Sequence, residues 1–332
     1  MTFKYNNVYV DNTSTVSGVM ESNGPLSKFY DKSYNDYYMG MKTWELAEMK
    51  LMQDSIDIVL EKANILKKDI DLFIAGDLSN QIVTSNYVTS SLNIPYLGIY
   101  SACATSMESI IIASNFLEAR KVKKVLVSTS SHNNASEKQF RYPVEYGGPK
   151  RKTATFTVTG AASMLLSNNI NKIKVESATI GTSVDSGIKD VYNMGGVMAI
   201  AAAKTIYEHL KDLKREPEYY DLILTGDLGM YGKDILKEYL KIEYNLNIRN
   251  IDDSACMIFN INDQQVYAGG SGPACLPLVA YSYIFELMKN KKYKRVLLVA
   301  TGALMNTTLV NQKETIPSIA HAVSLEVNDD IS

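Results

Sequence analysis

A cysteine at the junction of a predicted strand and a predicted helix is the residue in this sequence best placed to do chemistry. Cys103 lies in residues 100–106, where the strand ends and the helix begins within a few positions. A thiol at a helix N-terminus sits near unpaired N–H groups and the positive end of the helix dipole, which lowers its pKa and favours the thiolate. The same position also suits a small, inert cysteine that fills a tight turn, and both interpretations stay open.

A glycine-rich loop occupies the corresponding position in the second half of the chain. Gly269, Gly270, Ser271 and Gly272 precede a predicted helix whose first turn contains Pro273. Such a loop presents backbone N–H groups, which bind anions at the start of a helix. A plain strand-to-helix turn would have the same composition.

Two histidines and one arginine are further candidates. His132 and Asn133 follow a predicted strand at 125–129, and parallel strands bring ligands to their carboxyl ends. His321 stands at the entry to the last strand, although each histidine is equally consistent with a hydrogen-bonded core residue. Arg141 belongs to the charged and aromatic run 137–146, which is either an exposed loop or the lid of a site for a planar anion.

The elements that must position these residues alternate between strands and helices, which predicts a parallel α/β sheet. Residues 1–42 show no period and are interpreted as an irregular covering segment. Predicted strands occupy 71–75, 96–100, 125–129, 156–167, 221–225, 296–301 and 320–327. Predicted helices occupy 44–63, with Thr43 as N-cap, and 81–92, 105–119, 194–210, 230–240 and 273–290.

The chain carries an internal repeat. The run DLFIAGDL at 71–78 recurs as DLILTGDL at 221–228, and KKVLV at 123–127 recurs as KRVLL at 294–298. Both pairs occur in the same order and are separated by nearly half the chain length. The repeat predicts two duplicated α/β halves, with boundaries at 1–168 and 169–332.

Composition excludes several classes of protein. The 332 residues contain 34 Lys+Arg and 36 Asp+Glu, a net charge of -2, so no basic excess favours nucleic acid. Three cysteines cannot form a disulfide framework, and with three widely spaced histidines they leave little for a metal site. No apolar run is long enough to span a bilayer, and the N-terminal residues do not read as a secretory signal. We therefore expect any membrane association to use a partner or a surface patch.

The cysteine that opens a helix after the third strand of the first half, together with the run FTVTGAA at 156–162, resembles the thiolase superfamily. The resemblance implies a five-layered αβαβα fold of two similar halves, each with a five-stranded sheet, commonly assembled as a dimer. Helices 105–119 and 273–290 would form the buried central pair. The strand 96–100 would pair with its two-fold mate, since an exposed apolar edge strand needs a cover.

A closer resemblance is to the stage V sporulation protein AD family. It is carried by AGDLSNQ at 75–81, the block at 131–147, TVTGA at 157–161, AGGSG at 268–272 and IPSIAHAV at 316–323. The resemblance implies a protein of the developing spore, soluble or peripheral at its inner membrane. It would bind dipicolinic acid (pyridine-2,6-dicarboxylate), free or as the calcium chelate, and act in its uptake with membrane proteins of the same operon. Calcium would enter only with the ligand, and no cofactor is implied.

The superfamily resemblance also implies a degenerate catalytic site. Cys103 matches the nucleophile, but 225–227 (TGD) stand where ketoacyl synthases have histidine, and 269–271 (GGS) stand where they have asparagine. The second thiolase cysteine would fall at 300–303, where ATGA stands. We therefore expect a binding protein. The alternative is an acyltransferase that pairs Cys103 with His132 or His321. A third hypothesis is an interaction scaffold with a vestigial pocket.

A planar dianion needs N–H or cationic donors at both ends and a flat apolar wall for its ring. The helix start at 103–106 would serve one carboxylate, and the loop 269–272 would supply donors from the other half. The residues expected around the ligand are Cys103, His132, Asn133, Arg141, Gly270, Ser271 and His321. No metal ligands are predicted.

Overall fold

A computed structural model describes residues 1–140 and 150–329 of the chain. The strands are β1 (Thr2–Lys4), β2 (Tyr9–Ser17), β3 (Lys32–Ser33), β4 (Leu72–Gly76), β5 (Tyr96–Gly98), β6 (Lys124–Ser131), β7 (Phe156–Thr157), β8 (Gly160–Ser167), β9 (Ile173–Ile180), β10 (Val184–Asp185), β11 (Leu222–Thr225), β12 (Ile251–Asp253), β13 (Gly270–Ser271), β14 (Arg295–Ala303) and β15 (Pro317–Val327). The helices are α1 (Val19–Ser22), α2 (Trp44–Ala63), α3 (Val83–Thr89), α4 (Thr105–Glu118), α5 (Asn133–Phe140), α6 (Met194–Leu213), α7 (Gly229–Tyr244), α8 (Ser254–Met257), α9 (Cys275–Val279), α10 (Phe285–Lys289) and α11 (Thr307–Asn311).

The two predicted sheets have five main strands each and are joined. The order is β5-β4-β6-β8-β2 in the first half and β9-β15-β14-β11-β12 in the second. Strands β2 and β9 meet at only two residue pairs, Tyr9 with Lys174 and Val10 with Ile173, and this contact makes the halves one continuous sheet in the described chain. The two predicted five-stranded sheets are therefore present and are linked at this junction.

Alternating side chains on the strands separate three apolar clusters, and these clusters define the five layers. On β4, Phe73 packs toward α2 on the outer face, whereas Ile74 packs toward the centre. On β14, Leu297 packs toward α6 on the opposite outer face, whereas Leu298 packs toward the centre. The order is helix, sheet, helix, sheet, helix, so the predicted αβαβα fold is confirmed.

The central layer contains the predicted helix pair. Helix α4 places Met107, Ile110 and Leu117 in the central cluster, all of them fully buried. Helices α9 and α10 are joined by a π-helical turn, Ala280–Ile284, and bury apolar side chains in the same cluster. Both helices follow the loops that carry candidate site residues, so the core fixes the position of those loops.

The interpretation of residues 1–42 as an irregular cover is wrong. Strand β2 is a central strand, and its nine residues pair with β8 along most of their length. Its polar side chains are satisfied inside the protein: Ser14 Oγ donates to the Ser55 carbonyl oxygen at 2.5 Å, and Ser55 shares a hydrogen bond of 2.7 Å with Ser163. Hydroxyl groups bonded in this way can be buried at little cost, which is why a run without apolar periodicity lies in the core.

Candidate functional site

A cavity lies beyond the carboxyl ends of the parallel strands, where ligands bind in open α/β sheets. The empty space between its walls is about 410 Å³, which includes the open solvent at its mouth. Both halves contribute to a wall that is largely apolar with a few polar groups. The lining residues are Leu78, Tyr100, Ala102, Cys103, Ser136, Glu137, Thr157, Met194, Ser271, Ala303 and Met305.

A tight turn presents Cys103 to this cavity. Ala102 adopts a left-handed conformation with φ of 51°, which bends the chain between the edge strand and α4. Thr105 fixes the turn, since its Oγ1 accepts the Ser101 N–H at 3.0 Å and donates to the Ala102 carbonyl oxygen at 2.7 Å. Cys103 thus lies just before α4, whose N-cap is Ala104, as predicted, and it lines the cavity while remaining 8% exposed.

A buried carboxyl group from the second half approaches the Cys103 thiol. Asp227 follows β11, is 1% exposed, and lies within hydrogen-bonding range of Cys103. It also accepts the Thr301 hydroxyl at 2.6 Å and the Gly272 N–H at 3.1 Å. Burial raises the pKa of Asp227 to about 7, although these hydrogen bonds act in the opposite direction. A carboxyl group here opposes formation of a thiolate, because two adjacent negative charges in a buried site repel each other.

The glycine-rich loop does not present the row of donors that its sequence predicts. The Gly272 N–H is bonded to Asp227, and the Gly269 N–H donates to the Val266 carbonyl oxygen at 3.0 Å. Strand β13 pairs with β7, so this segment closes the wall as a short ladder. Ser271 reaches the cavity, whereas Gly270 packs behind it, since an added Cβ would lie 3.2 Å from Cys275 Sγ.

Helix α5 supplies the polar part of the wall. Glu137 is 4% exposed, and its Oε1 accepts the Thr157 hydroxyl at 3.0 Å. Its Oε2 forms an ion pair of 3.1 Å with Lys150, whose side chain is 21% exposed. One turn away from the predicted Asn133, the hydroxyl of Ser136 is buried in the wall without a hydrogen-bond partner in the described chain.

The predicted residues His132 and Asn133 hold the backbone behind the cavity instead of lining it. His132 is fully buried, and its Nε2 lies 2.8 Å from the Tyr37 carbonyl oxygen, so Nε2 carries the hydrogen. Burial lowers the pKa of His132, which favours the neutral ring. Asn133 Nδ2 donates to the Thr157 carbonyl oxygen at 3.1 Å and fixes that strand. A direct contact of either residue with a ligand stays a prediction.

His321 and Arg141 are not part of the described cavity lining either. His321 pairs with Ala300 across β15 and β14, and its Nδ1 accepts the Gly181 N–H at 3.3 Å. Burial lowers the pKa of His321 to about 4, so the ring is neutral at physiological pH. Arg141 lies outside the described residues. Of the seven predicted residues, the structure therefore brings Cys103 and Ser271 together at one cavity.

The site residues that sequence reasoning missed are Asp227, Ser136, Glu137 and Thr157. A signal existed for the first, because the internal repeat pairs Asp227 with Asp77, each directly after an equivalent strand. Asp77 is buried too and accepts the N–H groups of Ser79 and Ser85, at 2.9 and 2.8 Å. Ser136, Glu137 and Thr157 carry no such pattern.

Comparison with known proteins assigns the family. A sequence model of the stage V sporulation protein AD family matches residues 1–326. Stage V sporulation protein AD of Bacillus subtilis (strain 168) is 48% identical over 320 residues, covering 96% of this chain and 94% of that protein. The chain belongs to the stage V sporulation protein AD family. The family predicted from the sequence motifs is thus confirmed. The protein is therefore a sporulation protein.

Solved structures with a similar fold include a 3-oxoacyl-[acyl-carrier-protein] synthase III and OleA. The 3-oxoacyl-[acyl-carrier-protein] synthase III of Aquifex aeolicus VF5 superposes with a TM-score of 0.61 at 17% identity, covering 96% of this chain and 99% of that chain. Cerulenin-bound OleA of Xanthomonas campestris superposes with a TM-score of 0.62 at 16% identity, over 97% and 98% of the two chains. At such low identity these likenesses establish the thiolase-like fold of this family member and nothing about its reaction.

Across residues 1–140 and 150–329, no helix combines the length and the apolar character needed to cross a bilayer.

Proposed function

We propose that this protein binds dipicolinic acid in the cavity beside Cys103 and acts in its uptake into the developing spore. The observation that carries the proposal is the combination of a cavity with a thiol that faces a carboxyl group, Asp227. The cavity supports binding of a small molecule, whereas the carboxyl group works against nucleophilic chemistry. Membership of the family supports the identity of the ligand.

The composition of the wall supports a small planar dicarboxylate. Tyr100, Met194 and Met305 provide apolar surface for a ring, and the Ser136 hydroxyl provides a donor for a carboxylate oxygen. Calcium enters the proposal as part of the ligand, because a chelated cation neutralises the two carboxylates and eases their approach to a wall that carries an acidic side chain.

Calorimetry with matched cavity variants tests the proposal. Cys103→Phe fills the cavity and should abolish heat from dipicolinic acid, with or without calcium, whereas Cys103→Ala should weaken binding only modestly. The larger side chain costs about 1–3 kcal/mol of stability, so circular dichroism must show that both variants remain folded. If the parent gives no heat and no thermal shift, the proposal fails and a scaffold with a vestigial pocket remains.

The second candidate is a condensing enzyme or acyltransferase, favoured by the exposure of the Cys103 thiol to the cavity. Incubation with acyl-coenzyme A followed by intact-mass measurement separates the two functions, with Cys103→Ser as the control. We expect the mass of the parent to stay unchanged. An acyl adduct that forms on the parent, is absent from Cys103→Ser and turns over would contradict a purely binding role.

Two associations belong to the same proposal. The protein would act with membrane proteins of the same sporulation operon, at the inner membrane of the spore. It would also form a homodimer through β5, which pairs with β4 on one side and leaves Leu97 39% exposed. Pairing of this edge with a second copy would cover the exposed strand.

A further inference from the structure

We infer that Lys150 and Ser136 form the subsite for one carboxylate of the ligand, and that Glu137 holds the Lys150 ammonium group in an ion pair until the ligand arrives. The inference deepens the proposed function and rests on it. It assigns recognition to residues that are not among the seven that the sequence analysis expects around the ligand. A dianion needs a cationic or N–H donor, and the described cavity lining contains no Lys, Arg or His.

Among the described residues, Lys150 is a cationic side chain that forms an ion pair with a residue of the cavity wall. Its Nζ lies 3.1 Å from Glu137 Oε2, and Glu137 lines the cavity. The ammonium group also lies 5.9 Å from the centre of the Phe156 ring, directly before Thr157 on β7. A lysine head group on a flexible stem with three donors can bond two carboxylates at once, so a ligand oxygen can join Glu137 at Lys150 or displace it.

Ser136 provides an independent observation that points to a ligand. Ser136 is 1% exposed and lines the cavity, yet its hydroxyl has no hydrogen-bond partner in the described chain. Buried polar groups are rarely left unpaired, because the missing hydrogen bond is costly. A carboxylate oxygen in the cavity would satisfy this hydroxyl. The Thr157 hydroxyl in the same wall donates its hydrogen to Glu137 Oε1 at 3.0 Å and so fixes the Glu137 carboxylate.

The arrangement predicts opposite effects for the two members of the ion pair. Removing the charge of Lys150 removes attraction for the ligand. Removing the charge of Glu137 removes both a competitor for Lys150 and a negative charge that repels the ligand. If the ion pair were purely structural, removing either charge would lower the stability of the protein by the same amount and would leave the affinity for the ligand unchanged.

Calorimetric titration with dipicolinic acid tests the inference on the parent and five variants, in a buffer with a calcium chelator so that the ligand is free of calcium. Compared with the parent, Lys150→Gln should bind at least tenfold more weakly, Ser136→Ala at least threefold more weakly, and Glu137→Gln at least twofold more tightly. Lys150→Arg should restore binding to within fivefold. The matched control is Lys152→Gln, which removes an exposed lysine two positions away and should leave affinity unchanged.

Folding does not obscure the result, because Ser136→Ala removes a hydroxyl that the described chain leaves unpaired and should not lower the melting temperature. If the parent binds while Lys150→Gln and Ser136→Ala match it within twofold, the subsite is wrong and the proposed function stands. Loss of affinity in Glu137→Gln, with folding intact, also overturns the inference, since the carboxylate would then be a ligand contact. No binding by the parent overturns both.

Discussion

The carboxyl group beside Cys103 makes a quantitative prediction for the reactivity of that thiol. Asp227→Asn keeps the shape of the side chain but removes its ability to ionise. Since burial raises the pKa of Asp227 to about 7, the parent carries a carboxylate next to the thiol above that pH and a neutral acid below it. The variant should therefore alkylate at Cys103 at the same rate as the parent in weak acid, and faster in weak base.

The size of the effect follows from the proximity of the two groups. Two unit charges about 4 Å apart interact by about 4 kcal/mol at an effective dielectric constant of 20, which equals about three powers of ten in thiolate population. Relaxation and water in the open cavity reduce this value, so we take a tenfold rate increase at about pH 8.5 as the minimum. Asparagine cannot accept the Gly272 N–H with its amide nitrogen, which costs about 1–3 kcal/mol of stability.

The assay is iodoacetamide labelling followed by peptide mass spectrometry, which reads each cysteine separately. Cys275 is fully buried and serves as the internal control, because its labelling reports unfolding in the same sample. The expected result is a variant-to-parent rate ratio near one at acidic pH that rises above pH 7, with Cys275 unlabelled throughout. A ratio that stays near one at all pH values would refute the role of Asp227 in suppressing the thiolate.

Three further predictions follow from buried groups and from the sheet edge. Burial raises the pKa of Glu21 to about 8 from 4.5, so the folded protein holds a proton that the unfolded chain releases. This proton alone should make stability fall by roughly 1 kcal/mol per pH unit between these values, and Glu21→Gln should reduce the slope by that amount in urea melts. Gly302→Ala should cost at least about 2 kcal/mol, because the added Cβ would lie 2.3 Å from the Ser101 carbonyl oxygen. Gly226→Ala, with its nearest contact at 3.4 Å, is the tolerated control in the same melts. Light scattering at micromolar concentration should report a dimer, and a monomer would contradict pairing through β5.

Helices and parallel strands could be predicted from the sequence because their patterns are local. Helix α2 occupies Trp44–Ala63 as predicted, and the Thr43 hydroxyl accepts the Leu46 N–H at 3.3 Å. The central helices followed from their uniform apolar character, which places a helix in the interior. The internal repeat identified two halves, since equivalent strands begin with the same residues.

The two strands that join the halves could not be predicted in the same way. Strand β2 is rich in serine and threonine, and only its tertiary hydrogen bonds show why it is buried. Strand β9 alternates buried and partly exposed residues over Ile173–Val175, a pattern too short to be distinguished from a loop.

The site shows the same division between local signals and tertiary contacts. The turn at Cys103 was evident from a strand that runs directly into a helix. By contrast, Glu137 meets Lys150 and Thr157, which lie 13 and 20 positions later in the sequence, and Asp227 reaches Cys103 from the other half. The chemistry of His132 and His321 predicts contacts with a ligand, but both side chains are buried and form hydrogen bonds with backbone groups instead.

A crystal structure of the protein with dipicolinic acid and calcium tests the central claim most directly. The account predicts density for one planar ligand in the cavity beside Cys103, without a covalent bond to the sulfur. One carboxylate should lie within hydrogen-bonding distance of Ser136 Oγ or Lys150 Nζ. A ligand seated outside this cavity, in crystals where the cavity itself is open and empty, would contradict it.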